Sequence, residues 1–564
     1  MSGTGRAAFG VVLGTLYALS GAATPEPAWA AAPEPAATLP AGEAAGTVAA
    51  SEVREAQGLL AELGLWDGAP DGIADAAFVR AVEGFQRQSG RTATGRLDAD
   101  TLAALRTRAE AIRTSRRLDA ARAAETAEAQ AAIAADPQLA ARLAPQPGDL
   151  TAAAGRDLGP CRADPTAACL LTEAAESAKG IVDPELRDWV LGEIAVGLAA
   201  AAGVESVWPV LRLTVDPRAA FTGLRRVATA RAAAGDAEAA LALAAAARAL
   251  PREALRSHAE VAEALSRLTP PPLDAVRQAE TAAEVLLPQV ADAGDRRAAL
   301  ATLARAARAR GDGDAAAERL NRADALDLGA DQAALVAAAW AEAGHPARAE
   351  ALLAALPDAA ERTPVLVELA AAHARAGSAT AALQAARAVP EPRYRAVALA
   401  DVAVALKQPE VISDAEAVAA QVELPYATAF AWSRIAEAWR ALGRTEDAAA
   451  AARRIGDDAL RVEALYRLAA ATDTPAPTAT TLAAEAETLR GGMLDRVARV
   501  RLAAQRAEQL ATAGSAEAGL AVRATVDDAL AVRNPWNRAR ALVAAARATA
   551  AADRHGVTVP PSNR

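Results

Sequence analysis

Two hydrophobic patterns divide the chain. Between Ser51 and Leu105, Val53, Ala56, Gln57, Leu60 and Leu63 form a helical stripe that stops at Gly64. Phe78, Val82 and Phe85 form a second that stops at Gly90, and Leu97 to Leu102 opens a third under an Asp98 cap. Leu65-Trp66-Asp67-Gly68, Asp71-Gly72 and Thr94-Gly95 are turns between them. The spacing predicts three short helices in a minimal domain, 51–105. From 170 to 551 the pattern becomes large-x2-large-Ala-x2-large, then glycine, then alanine. The clearest copy runs from Trp432 through Ile435, Ala436 and Trp439 to Gly443 and Ala448.

Aligned on the small residue, the copies fall at Ala195, Ala228, Ala262, Ala304, Ala337, Ala370, Ala403, Ala436 and Ala469, at intervals of 33, 34, 42 and then 33 throughout. Seven residues after that alanine stand Gly235, Gly311, Gly344, Gly377 and Gly443, and twelve after it Ala240, Ala316, Ala349, Ala382, Ala415 and Ala448. Large residues three and four apart make one stripe, glycine ends the helix, and alanine lets a second helix approach closely. Neither helix buries its stripe alone, so the hairpins must stack. The stretch after about 490 reads as out of register. Residues 106–169, charged and alanine-rich and then loop-like, read as a helical connector and loop, and 552–564 as a disordered tail.

Composition supports an all-α fold. The chain of 564 residues is 53% hydrophobic but only 3% aromatic, and alanine, a strong helix former and weak strand former, fills the difference. The formal net charge of −10 argues against a nucleic-acid partner. At the N-terminus, Arg6 precedes an apolar run from Ala7 to about Ala23, and Ala28-Trp29-Ala30 has the small-x-small form of a signal-peptidase site. This predicts a signal peptide, 1–30, cut between Ala30 and Ala31, a flexible linker, 31–50, and no stable membrane insertion afterwards. In an oxidising compartment the isolated pair Cys161 and Cys169 is expected to form one disulfide.

Residues Val53-x3-Gln57-x2-Leu60-x2-Leu63-Gly64-x3-Gly68-x2-Asp71-Gly72, followed by Ala81-Val82-x2-Phe85-Gln86-x3-Gly90-x3-Thr94-Gly95-x-Leu97-Asp98-x2-Thr101-Leu102-x2-Leu105, resemble the peptidoglycan-binding domain of cell-wall proteins. The family usually has glycine and threonine just after the Asp-Gly turn, where this chain has Ala74-Asp75-Ala76-Ala77. The resemblance implies a non-catalytic three-helix module whose partner is peptidoglycan. Trp66 is then a candidate for stacking on a sugar, or a core plug; Asp71 and Gln86 are candidate hydrogen-bonding residues. The array 170–551 resembles tetratricopeptide repeats, with a unit nearer 33 residues and mostly without the aromatic start. That likeness implies an α-solenoid scaffold for an envelope protein or peptide, with Arg305, Arg308, Glu342, Glu437 and Arg440 as candidate groove residues.

Nothing in the sequence points to a cofactor, a metal or a catalytic set. The histidines, His258, His345, His373 and His555, are not at ligand spacing. Glu205-Ser206 is similar to the start of a lytic transglycosylase site but lacks its downstream elements. The expectation is an exported, non-enzymatic adaptor of the periplasm or cell wall. The alternative is an accessory subunit or enzyme of peptidoglycan hydrolysis with an unrecognised active site.

Overall fold

The computed structural model describes residues 49–151, 157–326 and 330–561, and among them every regular element is helical. The predicted cleavage site at Ala30 and Ala31 lies outside the described residues. No helix among the described residues is long and apolar enough to cross a membrane. The chain divides into two compact units, Met1–Arg117 and Leu118–Arg564.

The first unit contains α1 (Ala50–Glu62), α2 (Ala76–Gln88) and the start of α3 (Ala99–Ala135). The predicted stripes become one core: Val53, Leu60, Phe78, Val82, Phe85, Leu102 and Leu105 are all buried in it. Asp75 caps α2 by accepting from the Phe78 amide at 2.8 Å, and Asp98 caps α3 through the Thr101 amide at 2.7 Å.

The third helix of the small domain, expected to be short, runs on into the helical connector expected over 106–169. α3 continues unbroken for 37 residues. Ala109 is buried with the first core, whereas Ala129 and Ala132 are buried in the second unit. With few large apolar side chains, this stretch gives no periodic signal, yet alanine alone sustains the helix. α4 (Pro137–Leu143), α5 (Gly159–Ala163), α6 (Ala167–Ala178) and α7 (Pro184–Ala202) follow.

From α7 onward the second unit is built from helix pairs. The leading helices after α7 are Pro217–Ala233, Pro251–Ser266, Ala293–Ala309, Ala330–Glu342, Ala359–Arg375, Pro392–Leu406, Pro425–Ala441, Asp458–Ala470, Arg496–Thr512 and Pro535–Arg554. Two start on aspartate-proline, Asp183-Pro184 and Asp216-Pro217, where the carboxylate takes the orphan amides and proline occupies the first turn. The aligned alanines are close-contact points: Ala228, Ala262, Ala337, Ala403, Ala240, Ala349 and Ala448 are completely buried. Gly235 adopts φ 85° and Gly443 φ 74°, the left-handed conformation that ends a helix without a Cβ clash. Where that glycine is missing after Ala403, Lys407 takes the role at φ 57°.

After 490 the pattern leaves the 33-residue register, as its spacing indicates, but it is not lost. Ala507, fully buried, is followed seven residues later by Gly514 at φ 66°, so the pattern resumes after a longer insertion.

Each leading helix packs on the next leading helix, while successive trailing helices scarcely meet. The leading helices therefore line the inside of the curve. The array does not stay open. Pro535–Arg554 packs on Arg496–Thr512, on α7 and, most extensively, on α6. Among the described residues, the chain turns at Gly556 and adds no trailing helix up to residue 561. α6 fills that place, so the last hairpin is made from the two ends of the array and the unit is a closed ring.

The seam is densely bonded. Arg523, 6% exposed, donates to the Pro560 carbonyl at 2.6 Å and to the Arg162 carbonyl at 2.5 Å. Gly519 lies so close to Thr558 that a Cβ would stand 2.2 Å from its carbonyl oxygen. Val557 and Val559 pack on the core. The predicted disordered tail, 552–564, is thus corrected for residues 552–561, which finish the last helix and close the seam. Cys161 and Cys169 are joined beside it, with S–S 2.06 Å and Cα–Cα 5.8 Å.

Candidate functional site

In the first unit the two loops are held by one device used twice. Gln57, on α1, accepts from the Gly72 amide at 2.8 Å and donates to Asp71 Oδ1 at 2.8 Å and the Ile73 carbonyl at 3.1 Å. Gln86, on α2, accepts from the Thr94 and Gly95 amides, both at 2.9 Å, and donates to the Arg96 carbonyl at 3.1 Å. Each buried amide replaces the water that would otherwise satisfy a tight loop. The glycines are required by closeness: a Cβ on Gly72 would lie 2.6 Å from the Ala50 carbonyl oxygen, and one on Gly95 would lie 2.6 Å from Val79 Cγ1.

This geometry corrects Gln86 as a ligand-binding candidate. Its side chain is 2% exposed and both ends of its amide are engaged inside the domain. Trp66 resolves toward the core plug. Its ring meets Phe78 edge-on at 6.1 Å between centroids, and a Cβ on Gly68 would stand 2.6 Å from the indole. Asp71 is exposed and shapes its loop, accepting from the Ile73 amide at 2.9 Å. That amide, with the Gln57 side chain, holds the Asp71 carboxyl below its usual range. Beside it Ile73 is 63% exposed on a loop fixed at both ends. Sequence reading missed Gln57 as a strut and Ile73 as an exposed apolar group, because a glutamine in a helical stripe carries no mark of what it bonds.

On the inner face of the ring, most of the candidate groove residues bind one another's helices. Arg305 pairs with Glu263 at 3.0 Å, Arg308 with Glu342 at 3.5 Å, and Glu437 with both Arg434 and Arg467. Glu193–Arg226, Arg225–Glu260 and Asp401–Arg434 continue the series between neighbouring leading helices. The reading of Arg305, Arg308, Glu342 and Glu437 as free groove contacts is therefore corrected: their charges first clasp adjacent repeats. Arg440 is half-buried on the same helix as Glu437.

Burial drives the Asp401 carboxyl upward although its side chain is 37% exposed and bonded to Arg434. Glu368 is pushed up to about 7, first by burial and then by Glu342 and Asp401, against the opposing pull of Arg375 and Arg308. Trp340 donates to Asp324 at 3.0 Å and Trp439 to Glu416 at 2.9 Å, both as packing residues.

Among the described residues no cluster of histidine, cysteine and carboxylate side chains has the geometry of a metal site. Glu205 pairs with Arg142 at 3.1 Å and Ser206 donates to the Gly203 carbonyl at 2.6 Å, so that dipeptide forms a structural turn.

Comparison with known proteins fits this division. The family model described as "Putative peptidoglycan binding domain" matches residues 49–105. No curated protein matches the chain. One similar solved structure is a circular tandem repeat protein with novel repeat topology and enhanced subunit contact surfaces, at 14% identity over 86% of this chain and 86% of that one. Its TM-score is 0.13, too low to carry an argument, so the ring rests on the helix packing described above. The chain thus joins a module similar to peptidoglycan-binding domains to an all-helical repeat array.

Proposed function

We propose that the protein is an exported, non-enzymatic adaptor of the bacterial-type cell wall. Its first unit binds peptidoglycan, and its helical ring holds an envelope protein or peptide. The observation that carries this reading is the match at residues 49–105, which coincides with a separate hydrophobic core and two amide-locked loops. The loop bearing Asp71 and Ile73 supplies the contact, because it presents an apolar side chain and a carboxylate on a backbone that cannot relax away. Helical arrays bind partners through large, curved, repetitive surfaces, which supports the second half of the proposal. The wall-associated location follows from the ligand, and the export route from the N-terminal sequence.

The test is co-sedimentation with purified peptidoglycan. Residues 49–117 should pellet with it and residues 118–564 should pellet far less. Ile73→Asp should weaken pelleting without altering the circular dichroism of the first unit. If residues 49–117 remain folded yet stay wholly in the supernatant, the proposed localisation fails, and the adaptor function with it.

A further inference from the structure

The leading helices share a register, and the sixth residue of each forms a row around the ring. Across Asp458–Ala470, Arg496–Thr512, Pro535–Arg554 and, past the seam, α7, that row reads Glu463, Arg501, Arg540, Trp189. Another arginine of the row, Arg256, is held by Glu253 and by Asp295 of the next leading helix. Among the described residues neither Arg501 nor Arg540 makes an ion pair, although Arg501 is exposed and Arg540 is half-buried. Their two helices pack on one another and together carry eight arginines against two carboxylates, Glu508 and Asp553, in a chain whose net charge is −10. Burial first and Arg501 second push the Arg540 guanidinium below its usual value, against the pull of Asp495, so the two arginines are neighbours that repel. The Arg540 guanidinium lies over Trp536, 5.1 Å from the ring centroid, and that ring is 5.7 Å from Trp189, which is 41% exposed.

Like charges held side by side are unfavourable until a counter-charge joins them. At other junctions the neighbouring helix supplies it, as in Glu193–Arg226 and Asp401–Arg434. At this one the guanidinium forks are left to an external acid, which they can take in bidentate pairs. The basic stretch is narrow. Glu463 holds the same register on the preceding leading helix, and Glu193 lies one turn beyond Trp189 on α7. A long polyanion laid along the row would meet both carboxylates, so the stretch fits only a short acidic group. The exposed indole beside it offers a face to an apolar or aromatic side chain, which a phosphate polymer lacks.

We propose that the junction of the last two leading helices with α7 is where the ring docks its protein partner, through a short acidic segment that carries an aromatic residue beside its carboxylates. Arg501 and Arg540 pair with the carboxylates, and Trp189 packs against the aromatic side chain. The inference rests on the reading of the ring as a protein-binding array and adds the chemistry of what it binds.

The experiment is fluorescence anisotropy of a short fluorescein-labelled peptide, with paired glutamates flanked by tyrosines, titrated with the full chain. The same peptide with lysines for the glutamates is run beside it, and inorganic polyphosphate is added as a competitor. The glutamate peptide should bind, less tightly as salt rises, and the lysine peptide should not. Arg501→Glu should weaken binding about tenfold, and the double variant with Arg540→Glu should abolish it. Trp189→Ala should weaken it about threefold without changing the preference for glutamate. Thermal melting checks that each variant is folded, and the exposed Arg501 keeps the test decisive if loss of Arg540 disturbs Trp536. No binding of the glutamate peptide by the parent chain, or undiminished binding by folded Arg501→Glu, overturns the site. Displacement by polyphosphate at a lower concentration than by unlabelled peptide gives the arginines to a phosphate polymer and overturns the acidic segment. Equal binding of both peptides, unaffected by Arg501→Glu, overturns this site but leaves the ring a protein-binding array. Sedimentation of residues 49–117 judges the first unit separately.

Discussion

The two units solve the problem of a limited core in opposite ways. The first is small, and small domains bury a limited share of their surface. It fixes its loops with two buried glutamines, each satisfying backbone groups in the segment after its helix. The ring has many repeats and few large side chains. It stacks fully buried alanines and clasps neighbouring helices with ion pairs such as Glu193–Arg226 and Asp401–Arg434. The first unit is therefore sensitive at single polar residues. The second spreads its stability over many contacts, with one concentrated point where its ends meet.

The largest effect expected from this comparison is at the seam. Deleting residues 159–178 removes α6 and leaves Pro535–Arg554 without its trailing helix. Melting of the second unit should fall by more than 10 °C or lose cooperativity, on the order expected for several kcal/mol lost from one interface, while the first unit keeps its own transition. Equal melting of the deleted and parent chains would show that the ring does not depend on closure.

Next in size, Leu60→Ala, at a fully buried position of the first core, should cost about 3 kcal/mol. In so small a unit that is enough to abolish peptidoglycan sedimentation while the ring's helical signal remains. Gln86→Leu should cost about 2 kcal/mol by stranding the Thr94 and Gly95 amides. A similar variant at an exposed helical position of the ring should cost far less, and chemical denaturation of each unit measures the contrast.

Much of this was legible before the structure. Turn glycines, cap aspartates and apolar spacing locate α1 and α2 because those signals are local. The repeat was readable because Leu224, Leu300, Leu366 and Trp432 occupy one slot ahead of a left-handed glycine. Closure was not readable. α6 resembles any other amphipathic helix, and nothing near Leu170 announces a partner at the far end of the array. The last leading helix, with alanines where other copies carry leucine or valine, hides its register in the same way. At the candidate sites, charge was visible but pairing was not: Glu437 reads alike whether it faces a ligand or Arg467.

The smallest predicted effect is a cancellation in acid. Burial lowers the His258 pKa to about 4, from an ordinary value near 6.5. The unfolded chain takes up that proton first, so stability is present above pH 6.5 and is lost as the pH falls toward 4. Glu368 has the reverse sign. Its folded pKa of about 7 exceeds the ordinary 4.5, so its contribution is full below 4.5 and is lost as the pH rises through 7. Between pH 7 and 5 each amounts to about 2 kcal/mol in opposite directions, so that each masks the other's contribution over that interval. Glu368→Gln should unmask a loss on acidification and His258→Gln a gain. Denaturation midpoints at the two pH values measure both, and parallel behaviour of the two variants would refute the opposition.

Closure through α6 also sets the timetable of biosynthesis. Arg523 and the Arg162 carbonyl it reaches are 361 residues apart, so one half of the last hairpin emerges from the ribosome long before the other. Until the final helix arrives, α6 must wait with an uncovered apolar stripe. A prematurely terminated chain can never cover it, however many complete repeats it carries. Contacts this distant slow folding, but they also make the last leading helix a checkpoint: only a chain that has reached it can hide the surface that α6 leaves exposed.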